Sequence, residues 1–325
     1  MLSFGAPRVR AWRLQSNRLR VRIVSPMLDR RRFIHLAVAA TATTSASTGQ
    51  APPQTARAMP LGVVADCKDP DAGIHRVREL GFQTCQMYVS SFDAATANSL
   101  REALDRHGVE GTSLIVVGPG PEVYNFRYGP LTIGLVPRKY RAERLAFLRK
   151  ASDFAKMAGI PALQRHLGFL PEDPNVPEFD EAVSALHEVA AYCKQNGQTF
   201  RCETGQETPI ALLRVIKAAG MDNVGVNFDG ANLILYGKAN PVDALDTLGP
   251  LVMGVHAKDG RYPTDPYQLG EEVPIGRGKV NFPALIQRLK QTGYRGPITI
   301  EREISGPRQE ADIRASKAYL EKLIG

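Results

Sequence analysis

Four segments in the second half of the chain run apolar and then end on a side chain that can bind a metal. They are Thr199-Phe-Arg-Cys-Glu203, Val224-Gly-Val-Asn-Phe-Asp229, Val252-Met-Gly-Val-His256 and Pro297-Ile-Thr-Ile-Glu301. If these segments are adjacent parallel strands, their carboxyl ends meet at one edge, and three carboxylates and one imidazole converge there. Three oxygens and one nitrogen suit one hard or borderline divalent cation, such as Mn²⁺, Co²⁺, Mg²⁺ or Zn²⁺. The spacing therefore predicts a metal site built by Glu203, Asp229, His256 and Glu301.

The predicted cation gives the site a definite chemistry. It would relieve the repulsion among three clustered carboxylates and act as a Lewis acid on a carbonyl and a hydroxyl of a bound sugar. A carboxylate beside such a substrate can take a proton from the carbon next to the carbonyl and return it. The alternatives are that each acid is only a solvated strand end or a cap, and that the protein holds no metal.

Residue alternation along the four segments favours a functional rim. With the four candidate ligands pointing into a barrel, their period-two neighbours also point inward, and most of these are polar: Arg201, Asn227, Lys258, Thr299 and Glu303. The residues that then point outward are largely apolar: Phe200, Cys202, Val226, Phe228, Val255, Ala257, Ile298 and Ile300. A polar mouth above an apolar wall is what this pattern predicts.

From Pro60 onward, short β-rich runs alternate with amphipathic helical patterns, which is typical of βαβ units and a parallel sheet. We predict strands at 61–66, 83–89, 109–117, 161–166, 199–203, 224–229, 252–257 and 297–302. These strands and the length of residues 59–325 fit a single α/β domain, a (β/α)8 TIM barrel. A doubly wound sheet would normally show a glycine-rich phosphate turn after the first strand, where this chain has Ala65-Asp-Cys-Lys-Asp-Pro70.

The formal charge of +8 is concentrated at the start of the chain. Residues 1–58 contain ten Arg, no Lys and one acid, Asp29, so they carry +9 and leave −1 for the remainder. A nearly neutral domain gives no electrostatic reason to expect a nucleic-acid partner.

The basic segment 1–58 has the pattern of an export leader. Arg30-Arg31-Arg32-Phe33-Ile34 precedes a mildly apolar stretch, 36–46, and small residues follow at Ala56-Arg57-Ala58. This resembles a twin-arginine signal, and it predicts recognition by the twin-arginine export machinery and a periplasmic or otherwise exported protein. A disordered basic tail is the alternative. The apolar run is shorter than the roughly 20 residues that span a bilayer, so we expect no stable membrane anchor. Met27 directly precedes the pattern, and we expect translation to begin there.

The cysteines do not suggest a disulfide framework. Cys67, Cys85, Cys193 and Cys202 are scattered, and none forms a C-x-x-C pair. We therefore predict buried free thiols.

Several short motifs occur in an order and spacing typical of one known family. They are Glu203, Asp229-Gly-Ala-Asn232, His256-Ala-Lys-Asp259, Pro274-Ile-Gly-Arg-Gly278 with Asn281-Phe282, Gly293-Tyr294 and Glu301-Arg-Glu303. Over about 60–325 the chain resembles the xylose isomerase-like TIM barrels, the sugar phosphate isomerase/epimerase superfamily that includes ketose 3-epimerases, hydroxypyruvate isomerases and inosose dehydratases. The resemblance implies that the four candidate ligands hold the metal and that Glu203 and Glu301 are the catalytic acid/base pair.

Further residues of the predicted rim are candidates for substrate binding: His166, Asn232, Lys258 and Glu303. His166 ends the fourth predicted strand, where it would contact substrate, orient Glu203 or be purely structural. Lys258 and Glu303 would bind sugar hydroxyls or neutralise each other across neighbouring strands. Asn232 stands where ketose epimerases have a histidine, three residues after the aspartate ligand, and this departure leaves the reaction open.

Two connections are long and both follow strands, 118–136 and 258–280, so in a barrel both lie on the face that carries active sites. The first contains Tyr124, Phe126 and Tyr128, which would form an apolar lid over a sugar ring. A mobile surface loop is the alternative.

The sequence thus predicts an exported, divalent-metal-dependent sugar isomerase or epimerase that acts by proton transfer next to a carbonyl. The export pattern and the lack of a phosphate-loop motif favour a non-phosphorylated sugar or keto-sugar. A keto-sugar lyase or dehydratase of the same superfamily and a catalytically inactive sugar-binding barrel are the alternatives. Endonuclease IV shares the barrel but needs extra histidines, where the second predicted strand has Gln86 and Tyr88. Whether the protein is a monomer or a homo-oligomer stays open.

Overall fold

A computed structural model describes residues 59–325, and the predicted leader, 1–58, lies outside the described residues. Eight parallel strands close into a barrel. They are β1 (Leu61–Cys67), β2 (Thr84–Val89), β3 (Glu110–Ile115), β4 (Ala162–His166), β5 (Thr199–Glu203), β6 (Val224–Asp229), β7 (Val252–Ala257) and β10 (Ile298–Ile300). A small antiparallel hairpin, β8 (Asp259–Gly260) and β9 (Glu272–Val273), lies in the connection after β7. Around the ring the order is β1-β10-β7-β6-β5-β4-β3-β2, which confirms the (β/α)8 TIM barrel.

Helices fill the connections between the barrel strands. They are α1 (Pro70–Glu79), α2 (Ala94–His107), α3 (Gly129–Thr132), α4 (Arg138–Ala158), α5 (Pro177–Gln195), α6 (Pro209–Ala219), α7 (Gly230–Leu235), α8 (Pro241–Leu248), α9 (Phe282–Gln291) and α10 (Pro307–Ile324). Short polar side chains begin several of them, as Asp93 does for α2 by accepting a hydrogen bond from the Thr96 amide at 2.8 Å. Gly108 ends the same helix at φ 59°, a left-handed conformation that glycine adopts without strain.

The predicted strands are all present, and 199–203, 224–229 and 252–257 have the predicted bounds. Other ends differ by one or two residues. The largest differences on the site's side are two residues, at β3, which ends at Ile115 where the pattern extends to 117, and at β10, which ends at Ile300 where it extends to 302. The ladder itself continues by one bond, from the Glu301 amide to the Ala257 carbonyl at 3.0 Å, so Glu301 still stands at the barrel edge.

The strand residues alternate as predicted between two layers. The outward side chains pack with the helices in one apolar core, which includes Phe200, Phe228 and Ile300. The lumen is polar, and a Cβ at Gly254 would lie 2.4 Å from Oδ1 of Asn227 and 3.2 Å from Nη1 of Arg201. Glycine at that position therefore lets two large polar side chains fill the barrel interior.

Two further sequence expectations concern the described residues. The cysteines Cys67, Cys85, Cys193 and Cys202 are all buried and free. Within residues 59–325, no helix combines the length and the apolar character needed to cross a bilayer.

Candidate metal centre

Four side chains from four neighbouring strands meet at the carboxyl end of the barrel: Glu203, Asp229, His256 and Glu301. One ligand atom from each lies within 4.8 Å of the others. Nδ1 of His256 is 3.0 Å from Oε1 of Glu203, 3.2 Å from Oε2 of Glu301 and 3.6 Å from Oδ2 of Asp229. All four residues are buried. The strand order thus brings together the residues that the sequence singles out.

Local backbone structure fixes Asp229. It is the N-cap of α7, and its Oδ1 accepts a hydrogen bond from the Asn232 amide at 2.8 Å. The hydroxyl of Thr204, one residue after the end of β5, donates to the Asp229 carbonyl at 2.9 Å and accepts from its amide at 2.8 Å. These bonds occupy Oδ1 and the backbone, so Oδ2 is the oxygen that faces the other three groups.

Two glutamines inside the barrel orient the cluster from below. Nε2 of His256 lies 2.7 Å from Oε1 of Gln86, and because an amide oxygen only accepts, the imidazole donates through Nε2 and turns Nδ1 toward the carboxylates. Nε2 of Gln164 donates to Oε2 of Glu203 at 3.0 Å. No role is predicted for either glutamine from the sequence, although the inward period on β2 and β4 places both in the lumen.

The cluster fits a divalent cation by its donor chemistry. Oδ2 of Asp229 and Nδ1 of His256 are buried and are not counted in a hydrogen bond among residues 59–325, but both meet charged groups: Oδ2 is 3.3 Å from Nζ of Lys258, and Nδ1 is 3.0 and 3.2 Å from the carboxylates of Glu203 and Glu301. Buried polar atoms of this kind are costly unless a ligand or ion satisfies them. With an oxygen each from Glu203 and Glu301, they form the oxygen-rich set that hard and borderline divalent ions prefer.

Lys258 neutralises much of the negative charge at this edge. Its Nζ lies 2.9 Å from Oε2 of Glu301, 3.2 Å from Oε2 of Glu303 and 3.3 Å from Oδ2 of Asp229. Burial by itself would lower the pKa of Lys258, but the surrounding carboxylates raise it well above its usual value. The sequence predicts that Lys258 and Glu303 either bind sugar hydroxyls or neutralise each other, and the structure shows the ion pair between them.

The two glutamates of the cluster are held in the ionised form. Burial would raise the pKa of Glu301, but the charges of His256 and Lys258 hold it well below the usual value. Burial would also raise the pKa of Glu203, but the imidazoles of His166 and His256 outweigh this effect and lower it below the usual value. Both groups are therefore available as anionic ligands or proton acceptors at neutral pH.

His166 and Asn232 stand beside the cluster. Nε2 of His166 is 3.9 Å from Oε1 of Glu203, and its Nδ1 is 3.2 Å from the Glu203 carbonyl oxygen. A Cβ at Gly205 would lie 3.3 Å from Cβ of Asn232 and from Cε1 of His166, so both side chains flank the turn after β5. This places His166 where it can both orient Glu203 and touch a ligand.

A cavity of about 200 Å³ is lined by two of the four groups, Glu203 and Glu301. Its polar lining includes His166, Asn232, Lys258 and Glu303, the residues that the sequence predicts for substrate binding. It also includes residues for which no site role is predicted from the sequence: Tyr88, Glu122, Arg165 and Tyr236. Tyr88 could have been predicted, because it lies two residues after Gln86 on β2 and therefore also points inward. Glu122 and Tyr236 lie in connections between strands, where no period-two alternation marks them.

The loop 118–136 forms one wall of this cavity. Tyr124 lines it, whereas Phe126 packs against Tyr236 with ring centroids 6.2 Å apart, and its amide donates to the Tyr267 carbonyl at 3.1 Å. Tyr128 is exposed and is not among the lining residues. The aromatic lid expected from the sequence thus consists of Tyr124 at the cavity and Phe126 behind it.

Comparison with known proteins agrees with this architecture. The sequence profile of the family described as the xylose isomerase-like TIM barrel matches residues 74–323. The chain belongs to this family.

Individual relatives extend the comparison. A crystal structure of a xylose isomerase domain protein from Planctomyces limnophilus is 33% identical, with a TM-score of 0.77 over 82% of this chain and 97% of that one. A D-tagatose 3-epimerase-like protein has the same barrel at 23% identity, with a TM-score of 0.62 over 82% of this chain and 97% of that one. An uncharacterized protein of Methanocaldococcus jannaschii is 29% identical over 214 residues, 62% of this chain and 67% of its own length. These likenesses establish the xylose isomerase-like barrel, and its chemistry here is argued from the site.

Proposed function

We propose that this xylose isomerase-like barrel is a divalent-metal-dependent sugar isomerase or epimerase that moves a proton at a carbon next to a carbonyl. The observation that carries the proposal is the convergence of Glu203, Asp229, His256 and Glu301, because Glu203 and Glu301 also line a cavity with several polar groups. The likeness to a D-tagatose 3-epimerase-like protein is in keeping with this chemistry.

In this proposal the two glutamates transfer protons on two sides of a substrate. Glu203 is the last residue of β5 and Glu301 follows β10, and the ends of β6 and β7 lie between them around the ring. One carboxylate can take a proton from one side of a sugar carbon while the other returns it from the opposite side. Return from the opposite side inverts the carbon, and return to the neighbouring carbon isomerises the sugar.

A divalent cation held by the four groups would polarise the carbonyl of the sugar and lower the cost of removing the adjacent proton. Around it, His166 would fix the position of Glu203. Lys258 would keep Glu301 anionic, because its ammonium lies 2.9 Å from that carboxylate. Asn232 presents an amide to the cavity where ketose epimerases have an imidazole, and an amide can bind a sugar hydroxyl but cannot exchange protons with it.

The charges of the cavity favour an uncharged sugar or keto-sugar. Its acidic lining residues are Glu122, Glu203, Glu301 and Glu303, and its lysine and arginine are Lys258 and Arg165. Lys258 is paired with carboxylates, and Arg165 is paired with Glu122. A phosphorylated substrate would therefore meet no cation that is free to bind it among the described lining residues.

The test is solvent deuterium exchange into keto-sugars in D₂O. We expect the metal-supplemented protein to incorporate deuterium next to the carbonyl of at least one member of a ketose panel. Glu301→Gln should lower that rate by at least about 100-fold, because an amide cannot accept the proton. The measurement is the NMR signal of the exchanging carbon-bound proton.

Two controls sharpen this test. Glu271→Gln changes an exposed glutamate of the same barrel end and should exchange like the wild type. Asp229→Ala should lose the metal by elemental analysis. Undiminished exchange in Glu301→Gln removes that residue from the mechanism. Binding without exchange would identify a sugar-binding barrel, and loss of water from the sugar would identify a dehydratase.

We also propose that the protein is exported and periplasmic, through a twin-arginine leader in residues 1–58. The support is the sequence pattern around Arg30 and Arg31. Export by this route passes folded proteins, which suits an enzyme that takes up its metal before translocation.

A further inference from the structure

The cavity that Glu203 and Glu301 line has an open apolar edge, to which Val117 and Tyr124 contribute. Both residues line the cavity, and they are 49% and 48% exposed. Other apolar lining residues, such as Ile115, Val116 and Leu235, are buried. A ligand that fills the cavity therefore meets an apolar surface and solvent together at this edge.

The edge is continuous with the reacting groups. The ring of Tyr124 stands edge-on to that of His166 with centroids 6.5 Å apart, and His166 is 3.9 Å from a carboxylate oxygen of Glu203. A sugar whose reacting carbon lies beside Glu203 would thus extend along His166 and reach Tyr124 at the mouth.

A buried carboxylate holds Tyr124 in place. The Tyr124 hydroxyl donates to Oε2 of Glu122 at 3.2 Å. Oε1 of the same group accepts from the Gly134 amide at 3.1 Å and pairs with Nη2 of Arg165. The Glu122 side chain is only 6% exposed.

A second buried arginine fixes the loop on which Tyr124 lies. Arg144, on α4, donates to the carbonyls of Gly134 at 2.6 Å, Pro121 at 2.9 Å and Pro119 at 3.1 Å. These bonds tie both ends of the loop 118–136 to one helix. The edge is therefore a preformed wall, which lowers the entropic cost of binding against it.

The same contacts decide what charge the edge can accept. Arg165 pairs through Nη2 with Glu122 and donates through Nη1 to the Val116 carbonyl at 3.0 Å, and its Nε is buried without a partner among residues 59–325. Arg144 donates its three guanidinium nitrogens to carbonyls. Neither cation is free for a phosphate at the mouth. A flat tyrosine ring beside a valine suits an uncharged group with an apolar face.

On these grounds, and resting on the proposed sugar chemistry, we propose that Val117 and Tyr124 form an outer subsite. It would bind an uncharged substituent, a glycosyl or aryl group, that the substrate sugar carries outside the cavity. The cavity of about 200 Å³ is smaller than the roughly 300–1,000 Å³ of pockets for drug-sized ligands, so it holds one ring and leaves a second group at the edge.

The experiment compares three probes on the metal-loaded full chain: 3-keto-D-glucose, its phenyl β-glycoside and its 6-phosphate. Calorimetry should give a Kd for the phenyl glycoside at least about fivefold lower than for the free keto-sugar, the range expected for one aromatic contact. The phosphate should bind no more tightly than the free keto-sugar. In Tyr124→Ala the ratio of the two affinities should fall toward one.

Tyr128→Ala is the matched control, since Tyr128 is 47% exposed on the same loop but does not line the cavity. It should keep the full preference. Equal affinities for phenyl glycoside and free keto-sugar in the wild type, or an unchanged ratio in Tyr124→Ala, would overturn the subsite. Tighter binding of the 6-phosphate than of the free keto-sugar would also overturn the subsite. A Tyr124→Ala variant with half the wild-type mass by light scattering would overturn it too, because the edge would then be a contact with a second copy of the chain. If the free keto-sugar exchanges deuterium but the phenyl glycoside binds no more tightly, only the subsite is overturned. If no probe binds or exchanges deuterium, the proposed function is overturned as well.

Discussion

His256 depends on a side chain from the opposite half of the barrel. Gln86, on β2, accepts the hydrogen of its Nε2 across a sequence separation of 170 residues. A ligand imidazole that is fixed in this way presents its other nitrogen without first having to rotate or change tautomer. Gln86 thus belongs to the candidate metal centre, because it positions His256 without a hydrogen bond of its own to the three carboxylates.

Gln86→Leu should weaken divalent metal binding by about 10- to 100-fold, because the imidazole loses its acceptor. The measurement is a competition titration with a chelator of known affinity. Gln198→Leu is the control: Gln198 is buried and hydrogen-bonded to Ser152 in the core, away from the site, so its loss should leave the metal affinity unchanged. Equal affinities in wild type and Gln86→Leu would contradict this role.

Glu207 is a buried acid outside the metal cluster. It is 2% exposed, and neither of its carboxylate oxygens has a hydrogen-bond partner among residues 59–325. Burial raises its pKa to about 8. In the unfolded chain the same group ionises near pH 4.5, so between these two values unfolding releases a proton. The stability that this neutral acid confers is complete below about pH 4.5 and is lost as the pH rises toward 8.

Glu207→Gln should therefore flatten the pH dependence of stability. Between pH 5 and 8 the wild type should lose about 1 kcal/mol of unfolding free energy per pH unit relative to the variant, because only the wild type has the titrating carboxyl. Urea unfolding of both proteins at four pH values in that range measures it. A constant difference across the range would show that the carboxyl ionises normally in the folded protein.

At the level of elements, the long connection after β7 is organised by one carboxylate. Oδ1 of Asp259 accepts from the amides of Gly260 at 2.9 Å and Val280 at 3.1 Å, and Oδ2 accepts from Gly276 and Gly278, both at 2.9 Å. A Cβ at Gly278 would lie 2.1 Å from Oδ1, so a side chain there would displace the carboxylate. The Pro274–Gly278 motif thus surrounds the Asp259 carboxylate and donates backbone hydrogen bonds to it.

Asp259→Ala should cost at least about 2 kcal/mol, because four amides lose a charged acceptor and several stay buried. Amide hydrogen exchange should rise in residues 274–280 more than elsewhere. Asp265→Ala removes an exposed acid of the same connection that also caps backbone amides, and it should cost less than about 1 kcal/mol. Similar losses in the two variants would contradict a special role for Asp259.

For the whole molecule, the predicted division at residue 58 separates a basic leader from a nearly neutral barrel. Replacing Arg30 and Arg31 by Lys should retain the protein in the cytoplasm, because the export machinery reads the paired arginines. Cell fractionation and immunoblotting measure this, and Arg57→Lys, outside the pair, should export normally. Metal content and melting temperature should be the same in retained and exported protein.

The architecture was predictable from the sequence for a physical reason. Strands that are apolar toward the helices and polar toward the lumen carry a period of two, and glycines such as Gly108 stop the helices between them, so β5, β6 and β7 have their predicted bounds. The site followed where its groups stand at the ends of such strands, as Glu203 and His256 do.

The sequence by itself therefore determined the barrel, the cluster of four candidate ligands and the polar mouth, because each follows from the period-two alternation of local strand segments. Only the tertiary structure decided how these groups are held. Closing the ring sets Gln86 beneath His256 and Lys258 among three carboxylates, and the folding of an aperiodic loop sets Glu122 behind Tyr124. Contacts across such distances leave no local pattern, since they depend on which elements become neighbours once the barrel closes.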